Sequence, residues 1–119
     1  MKYNKRSIGN LYEKKAADFL REQGLLIKMQ NYRCMAGEID IIAMDGKYLV
    51  FVEVKYRKNQ TLGCSLSAVD VRKQKKIIKT AKQYLFSTYG SLDIPCRFDV
   101  IGFDGKKVSW IKDAFACES

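Results

Sequence analysis

Glu38, Asp40, Glu53 and Lys55 are the side chains of this chain whose types and spacing could do chemistry. Glu38 and Asp40 are two residues apart, as are Glu53 and Lys55, and that spacing puts each pair on one face of a strand. They lie in the stretch Gly37 to Arg57, G-E-I-D-I-I-A-M-D-G-K-Y-L-V-F-V-E-V-K-Y-R, in which two apolar runs flank Asp45-Gly46. Asp-Gly between such runs is a strong hairpin signal, because both residues tolerate positive φ. With Asp45 and Gly46 as the two loop residues, Met44 faces Lys47, Asp40 faces Phe51 and Glu38 faces Glu53. Glu38, Asp40, Glu53 and Lys55 then share one face. Ile39, Ile41, Val50, Val52 and Val54 form the other, which is core.

Two glutamates facing each other with an aspartate diagonal to one of them is an electrostatic problem. Like charges across a ladder cost a few tenths to about 1 kcal/mol, and more where water is excluded. One lysine does not neutralise three carboxylates, but a divalent cation does. Facing Cβ atoms lie about 5 Å apart and diagonal ones about 7 Å. Both separations let carboxylate oxygens converge on one hard cation at about 2.1 Å, the Mg²⁺ distance. The hairpin alone therefore points to a hard-metal site with a lysine beside it.

The rest of the composition narrows the chemistry. Histidine is absent from all 119 residues, which excludes Ser-His-Asp and Cys-His catalysis, histidine general bases and histidine-zinc sites. Cys34, Cys64, Cys96 and Cys117 are far apart and contain no C-x-x-C pair, so reduced thiols are expected and a four-cysteine zinc site is not. Twenty-two basic residues against thirteen acidic ones leave a net charge of +9, which calls for a polyanionic partner, nucleic acid first. The length favours one domain, residues 1–119. The basic start, Met1 to Arg6, lacks the apolar segment of a signal peptide, and no apolar run could span a bilayer. A cytoplasmic location with no membrane partner is the expectation.

Elements must position these groups. Residues 7–23 read as a helix, with Ser7 as N-cap, Gly24 as stop and an apolar stripe of Ile8, Leu11, Tyr12, Ala16, Phe19 and Leu20. At 100° per residue Glu13 lies about 20° from Leu20, on the flank of that stripe. A carboxylate there needs a partner: a salt bridge at the core margin, or a cation shared with the hairpin. Leu25 to Met29 reads as a first strand and Gln30 to Arg33 as a turn. The hairpin supplies strands two and three, whose carboxylate face grades from Leu49 and Phe51 to Glu53, Lys55 and Arg57, a cleft mouth or sheet edge. Residues 57–67 form a polar loop expected to flank the site and to move.

A second helix is expected over residues 67–86, with Val71, Ile77, Ile78, Ala81 and Leu85 inward. Arg72, Lys73, Lys75, Lys76, Lys79 and Lys82 occupy the rest, and no acid intervenes between Asp70 and Asp93. Solvated helix faces usually mix signs, since like charges at i,i+4 repel. An unmixed row suits phosphates, although a plain lysine-rich surface looks the same in sequence. Arg97 to Phe103 and Lys106 to Ile111 repeat the hairpin pattern about Asp104-Gly105. Arg97 and Asp99 share a strand face and are expected to pair, with Trp110 packing. The long helical connection between strands three and four makes those two strands parallel, in a mixed sheet with helices against it.

Asp40 followed by Glu53-x-Lys55 in an αβββαβ order resembles the PD-(D/E)xK nuclease superfamily. The whole chain more closely resembles the YraN family of small bacterial proteins, similar in fold to archaeal Holliday-junction resolvases. The resemblance rests on G-x-x-Y-E (Gly9 to Glu13), G-E-I-D (Gly37 to Asp40), F-V-E-V-K-Y-R (Phe51 to Arg57), Lys73-Gln74 and R-F-D (Arg97 to Asp99). It implies an α/β fold with a restriction-endonuclease-like core. It implies Mg²⁺ or Mn²⁺ held by Asp40, Glu53 and the Val54 carbonyl, with Glu13 as outer ligand. Lys55 would orient and activate the attacking water, giving products with a 5′-phosphate. Arg57 and the basic residues of the second helix would bind DNA, branched DNA in particular, with a homodimer arranged around it. Ile39 stands where the superfamily's first motif has proline, and Glu38 is a carboxylate with no standard role there. A non-catalytic nucleic-acid-binding module on the same fold is the alternative.

Overall fold

The computed structural model describes residues 5–57 and 69–116. The expected order of helix, three strands, helix and two strands is present: α1 (Lys5–Glu22), β1 (Leu26–Cys34), β2 (Gly37–Asp45), β3 (Tyr48–Arg57), α2 (Val71–Tyr89), β4 (Cys96–Asp104) and β5 (Lys107–Phe115). The strands form one sheet in the order β1-β2-β3-β4-β5. Only β3 and β4 run parallel, and they are the pair joined through α2. The chain is thus an α/β domain with the restriction-endonuclease-like αβββαβ core. The polar loop expected over residues 57–67 lies, beyond Arg57, outside the described residues.

Each face of the sheet buries one helix. Ala16, Ala17 and Leu20 of α1 pack on Ile41, Ala43, Val50, Val52 and Ile101. Ile77, Ala81, Tyr84 and Leu85 of α2 pack on Ile42, Leu49, Phe51 and Phe98. Burying each leucine, isoleucine, valine or phenylalanine here stabilises by about 1.5–3 kcal/mol, and each alanine by less, so both helices are held mainly by these contacts.

Helix ends follow local chemistry, with two shifts from expectation. α1 is already helical at Lys5, so Ser7 lies inside it and is not its N-cap. Its other end stops at Gly24, where φ is +96°. There the Leu25 N–H reaches the Leu20 carbonyl and the Gly24 N–H reaches that of Arg21, the paired bonds of a Schellman ending. α2 starts at Val71, later than expected, because Asp70 caps it by accepting the Lys73 N–H. Val71 is then the first helical residue and stays 62% exposed instead of joining the core. Thr80 and Tyr84 take up the buried face in its place.

Both Asp-Gly turns differ from expectation in the same way. Asp45 pairs with Tyr48 and Asp104 with Lys107, so the loops are Gly46-Lys47 and Gly105-Lys106. Gly46 and Gly105 take positive φ, while the aspartates stay extended as the last strand residues. Asp45 is kept there by Arg97, whose Nη2 lies 2.8 Å from its carboxylate. The facing pairs therefore move: Phe51 opposes Ile42, not Asp40. β1 is also longer than expected. Gln30 to Arg33, read as a turn, continue the strand along β2, with Asn31 at φ +57°. β5 likewise runs on to Phe115, whose ring stacks on Phe98.

Candidate metal centre and basic face

The site is built where β2 and β3 part. Their ladder holds as far as Ile41 opposite Val52. One step further along the same register, Asp40 comes opposite Glu53. There Asp40 Oδ2 accepts the Val54 N–H at 2.8 Å, so a side chain takes the place of a main-chain acceptor. Side-chain alternation slips at this point. Ile39 packs into the α2-side core and Ile41 into the α1-side core, although regular alternation would put them together. Of the expected single face of Ile39, Ile41, Val50, Val52 and Val54, Ile39 therefore lies on the opposite side of the sheet.

The carboxylates converge, but not by projecting together from a flat face. Glu53, 5% exposed, meets the ammonium groups of Lys55 at 3.6 Å and of Lys73, arriving from α2, at 3.3 Å. Its charge also acts on the neighbouring Asp40 carboxyl. Glu13 reaches the same place from α1. Glu13, Glu38 and Asp40 each offer an oxygen within 4.8 Å of the other two. Arg33 Nε holds Glu38 at 2.7 Å. The gap between the strands thus collects one acid from a helix and three from two strands.

Crowding and burial work against ionisation of these acids. Burial and then the Glu53 charge push the Asp40 carboxyl up to about 9, against a smaller opposing effect of the Val54 N–H. Burial and then Glu38 also raise Glu13. Glu13 Oε1 is buried with no hydrogen-bond partner among the described residues. An orphaned carboxylate oxygen beside two other carboxylates is the donor set a hard divalent cation takes, and the residues present fit one. Glu13, Glu38 and Asp40 are the side chains whose oxygens lie close enough together to share one, with Glu53 beside Asp40.

Surrounding contacts brace this arrangement. Tyr12, next to Glu13, stacks on Tyr56, next to Lys55, with ring centroids 4.5 Å apart. That stack ties the middle of α1 to the end of β3. Sequence reasoning left two contributors out. Arg33, expected in a turn, lies in β1 and pairs with Glu38 across the β1–β2 ladder. Gly37 is the other. Its φ is +155°, and a Cβ there would lie 2.9 Å from Thr80 Oγ1. This close approach presses the start of β2 against α2.

The predicted phosphate-binding residues divide. Arg72, Lys75, Lys76, Lys79 and Lys82 line one open depression along α2, together with Val71 and Ile78. Lys73 leaves that row and turns to Glu53. Arg57 lies at the end of β3, paired in register with Asp104 of β4. Arg97 and Asp99 pair as expected, at 3.0 Å, in a separate buried network. There Asp99 also accepts the Trp110 Nε1–H and the Asp113 N–H. Neither Cys34 nor Cys96 forms a disulfide among the described residues. No helix among the described residues is long and apolar enough to cross a membrane.

The fold and this fork place the chain among α/β domains with a restriction-endonuclease-like core and an acidic cluster where the sheet opens. Residues 12–103 match the model of a family described as "Uncharacterised protein family UPF0102". The chain belongs to that family, the YraN family. It is similar to UPF0102 proteins from Psychromonas ingrahamii (48% identical, 92% of this chain and 89% of the relative) and Lachnoclostridium phytofermentans (46%, 94% and 95%). A third, from Legionella pneumophila, is 45% identical over 90% of this chain and 92% of its own length.

Proposed function

We propose that this protein is a Mg²⁺- or Mn²⁺-dependent endonuclease acting on DNA, with preference for branched substrates. The observation that carries the reading is the fork itself. Glu13, Glu38 and Asp40 present oxygens within 4.8 Å of one another, and Asp40 is coupled by charge to Glu53, which Lys55 contacts. A divalent cation bound there supplies charge for the phosphate and lowers the pKa of a nearby water.

The chain's own residues have distinct tasks. Asp40, Glu13 and Glu53 would hold the cation, with the Val54 N–H fixing the Asp40 side chain. Lys55 orients the attacking water and donates to the phosphate oxygens as their charge grows. The water oxygen bonds to phosphorus and the P–O3′ bond breaks. The water's proton leaves to solvent and the 3′-oxygen takes one up, giving a 5′-phosphate and a 3′-hydroxyl. The depression along α2 holds the flanking backbone through Arg72, Lys75, Lys76, Lys79 and Lys82.

A non-catalytic nucleic-acid-binding module is the second reading, favoured by the cations already paired with Glu38 and Glu53. Cleavage assays on duplex, single-stranded, flap and four-way-junction DNA, and on RNA, with Mg²⁺ or Mn²⁺ separate the two. The nuclease reading expects cutting that falls at least about 10²-fold in Lys55→Ala, the scale of a lost transition-state donor. Cutting that persists at full rate in Lys55→Ala removes the lysine's role. Tight binding with no cutting of any substrate favours the module.

A further inference from the structure

Glu53 Oε2 is shared by two ammonium groups, and they are not equivalent. Lys55 sits two residues along the same strand, at 3.6 Å, with its side chain 29% exposed. Lys73 comes from another element, at 3.3 Å, with its side chain 42% exposed. A long, half-exposed side chain can leave an ion pair at little cost, because exposed pairs are weak and the freed head is well hydrated. Glu53, 5% exposed, has no such freedom.

The position of Lys73 on α2 is a second, independent observation. It lies in the first turn, three residues after the N-cap Asp70, and its N–H donates to that cap at 2.9 Å. Open N–H groups at this end of a helix favour anions and disfavour cations. Yet the first turn holds no acid and contains Arg72 and Lys73. Helix formation does not recommend a lysine there, whereas attraction to an anion does. Within the fold that anion is Glu53. The neighbouring residues of α2, Arg72, Lys75 and Lys76, already line the depression where phosphates are proposed to lie.

We propose that Lys73 is an exchangeable counter-ion of the site: it occupies Glu53 until a divalent cation binds, and the released ammonium then takes a phosphate of the polyanion. This rests on the metal-dependent reading above and deepens it. Cation and polyanion binding become linked through one carboxylate. A cation on Glu53 frees Lys73 for phosphate, and phosphate on Lys73 vacates Glu53. Linkage makes the coupling reciprocal, so each ligand tightens the other by the same factor. Lys73 is a positioning and gating residue in this scheme, and Lys55 stays at Glu53 throughout.

The test titrates Mn²⁺ into the full chain by calorimetry, with wild type, Lys73→Gln and Lys47→Gln. Lys47 lies in the β2–β3 turn, at the far end of the hairpin, and controls for the loss of one charge. Lys73→Gln should bind Mn²⁺ about twofold to fivefold more tightly, the factor expected for removing a half-exposed competing ion pair. Lys47→Gln should stay near wild type. Heparin, a polyanion without phosphodiester bonds, supplies the second readout. Mn²⁺ should tighten heparin binding to wild type and lose that effect in Lys73→Gln. Unchanged or weaker Mn²⁺ binding by Lys73→Gln, or equal tightening in Lys47→Gln, would overturn the exchange while leaving the metal site standing. A wild-type chain that binds no Mn²⁺ refutes the metal-dependent reading and the exchange with it.

Discussion

The Asp40 carboxylate closes the open end of the β2–β3 ladder by accepting the Val54 N–H at 2.8 Å. One side chain therefore does two jobs: it satisfies the backbone of β3 and supplies an oxygen to the acidic cluster. Asp40→Asn keeps an acceptor for that N–H, while Asp40→Ala leaves it unpaired in a part-buried site. Denaturant unfolding without metal should find the Asn variant more stable than the Ala variant by about 1–3 kcal/mol. Both should lose Mn²⁺ binding, since neither has the charge. Equal stability of the two variants would show that the hydrogen bond contributes nothing.

Titration of the same carboxyl gives metal-free stability a pH dependence of unusual sign for an acid. Burial and the Glu53 charge hold Asp40 at about 9 in the folded chain, against about 3.9 when unfolded. Between those values the native state keeps a proton that the unfolded state has lost. This contribution is fully present below about pH 4 and is lost as pH rises through 9. Thermal midpoints in chelator should accordingly fall from pH 5 to pH 9, and Asp40→Asn should flatten that slope. Affinity for Mn²⁺ should rise over the same interval, as the proton gives way to the cation. An identical slope in Asp40→Asn would place the titration elsewhere.

The basic depression on α2 makes a separate prediction about salt. Lys75→Gln, Lys79→Gln and Lys82→Gln should each weaken duplex binding similarly across sequences. Each should also reduce the slope of log affinity against log salt by about 1. Fluorescence anisotropy between low and moderate salt measures both. Slopes equal to wild type in all three variants would take α2 out of the interface.

Asp99 is fully buried and accepts from Arg97, Trp110 and the Asp113 backbone. Its network holds the end of β5 against β4 and lies apart from the acidic cluster. Asp99→Ala takes the acceptor from the Arg97 Nε–H, the Trp110 Nε1–H and the Asp113 N–H while Arg97 keeps Asp45, a loss of about 1–3 kcal/mol. Urea midpoints should drop accordingly, while Mn²⁺ affinity at low temperature, where the variant is folded, stays near wild type. A loss under about 1 kcal/mol would mean that water replaces the network.

Gly37 has a steric role that a double variant isolates. Adding a Cβ places it 2.9 Å from Thr80 Oγ1, at a φ that side chains rarely adopt. Gly37→Ala should cost about 1–3 kcal/mol, as for other overpacked sites. Combining it with Thr80→Ala removes the clash but not the backbone strain, so only part of the loss should return. Full additivity in the double-mutant cycle would mean that the two residues do not press on each other.

Much of the frame was legible because it follows from rules that act over a few residues. Apolar spacing marked α1, β2, β3 and α2, and Gly24 marked the end of α1. The parallel β3–β4 pairing followed from the helical connection between them. The misreadings share one cause, which is that a distant partner outweighed a local preference. Arg97 draws Asp45 into the strand, moving the turn one residue on. β1 extends through Asn31 because β2 offers a ladder to pair with. Val71 loses its place in the core because Asp70 caps the helix just before it.

The same division holds for the acids. Their identities, their crowding in one hairpin and the lysine beside Glu53 were readable from spacing and charge alone. Sequence rules could not supply the parting of β2 and β3 at Asp40, the approach of Glu13 from one side and Lys73 from the other, or the pairing of Arg33 with Glu38. Those depend on how two helices pack on opposite faces of a twisted sheet. Alternation describes a single regular ladder, and these groups meet where the ladder ends.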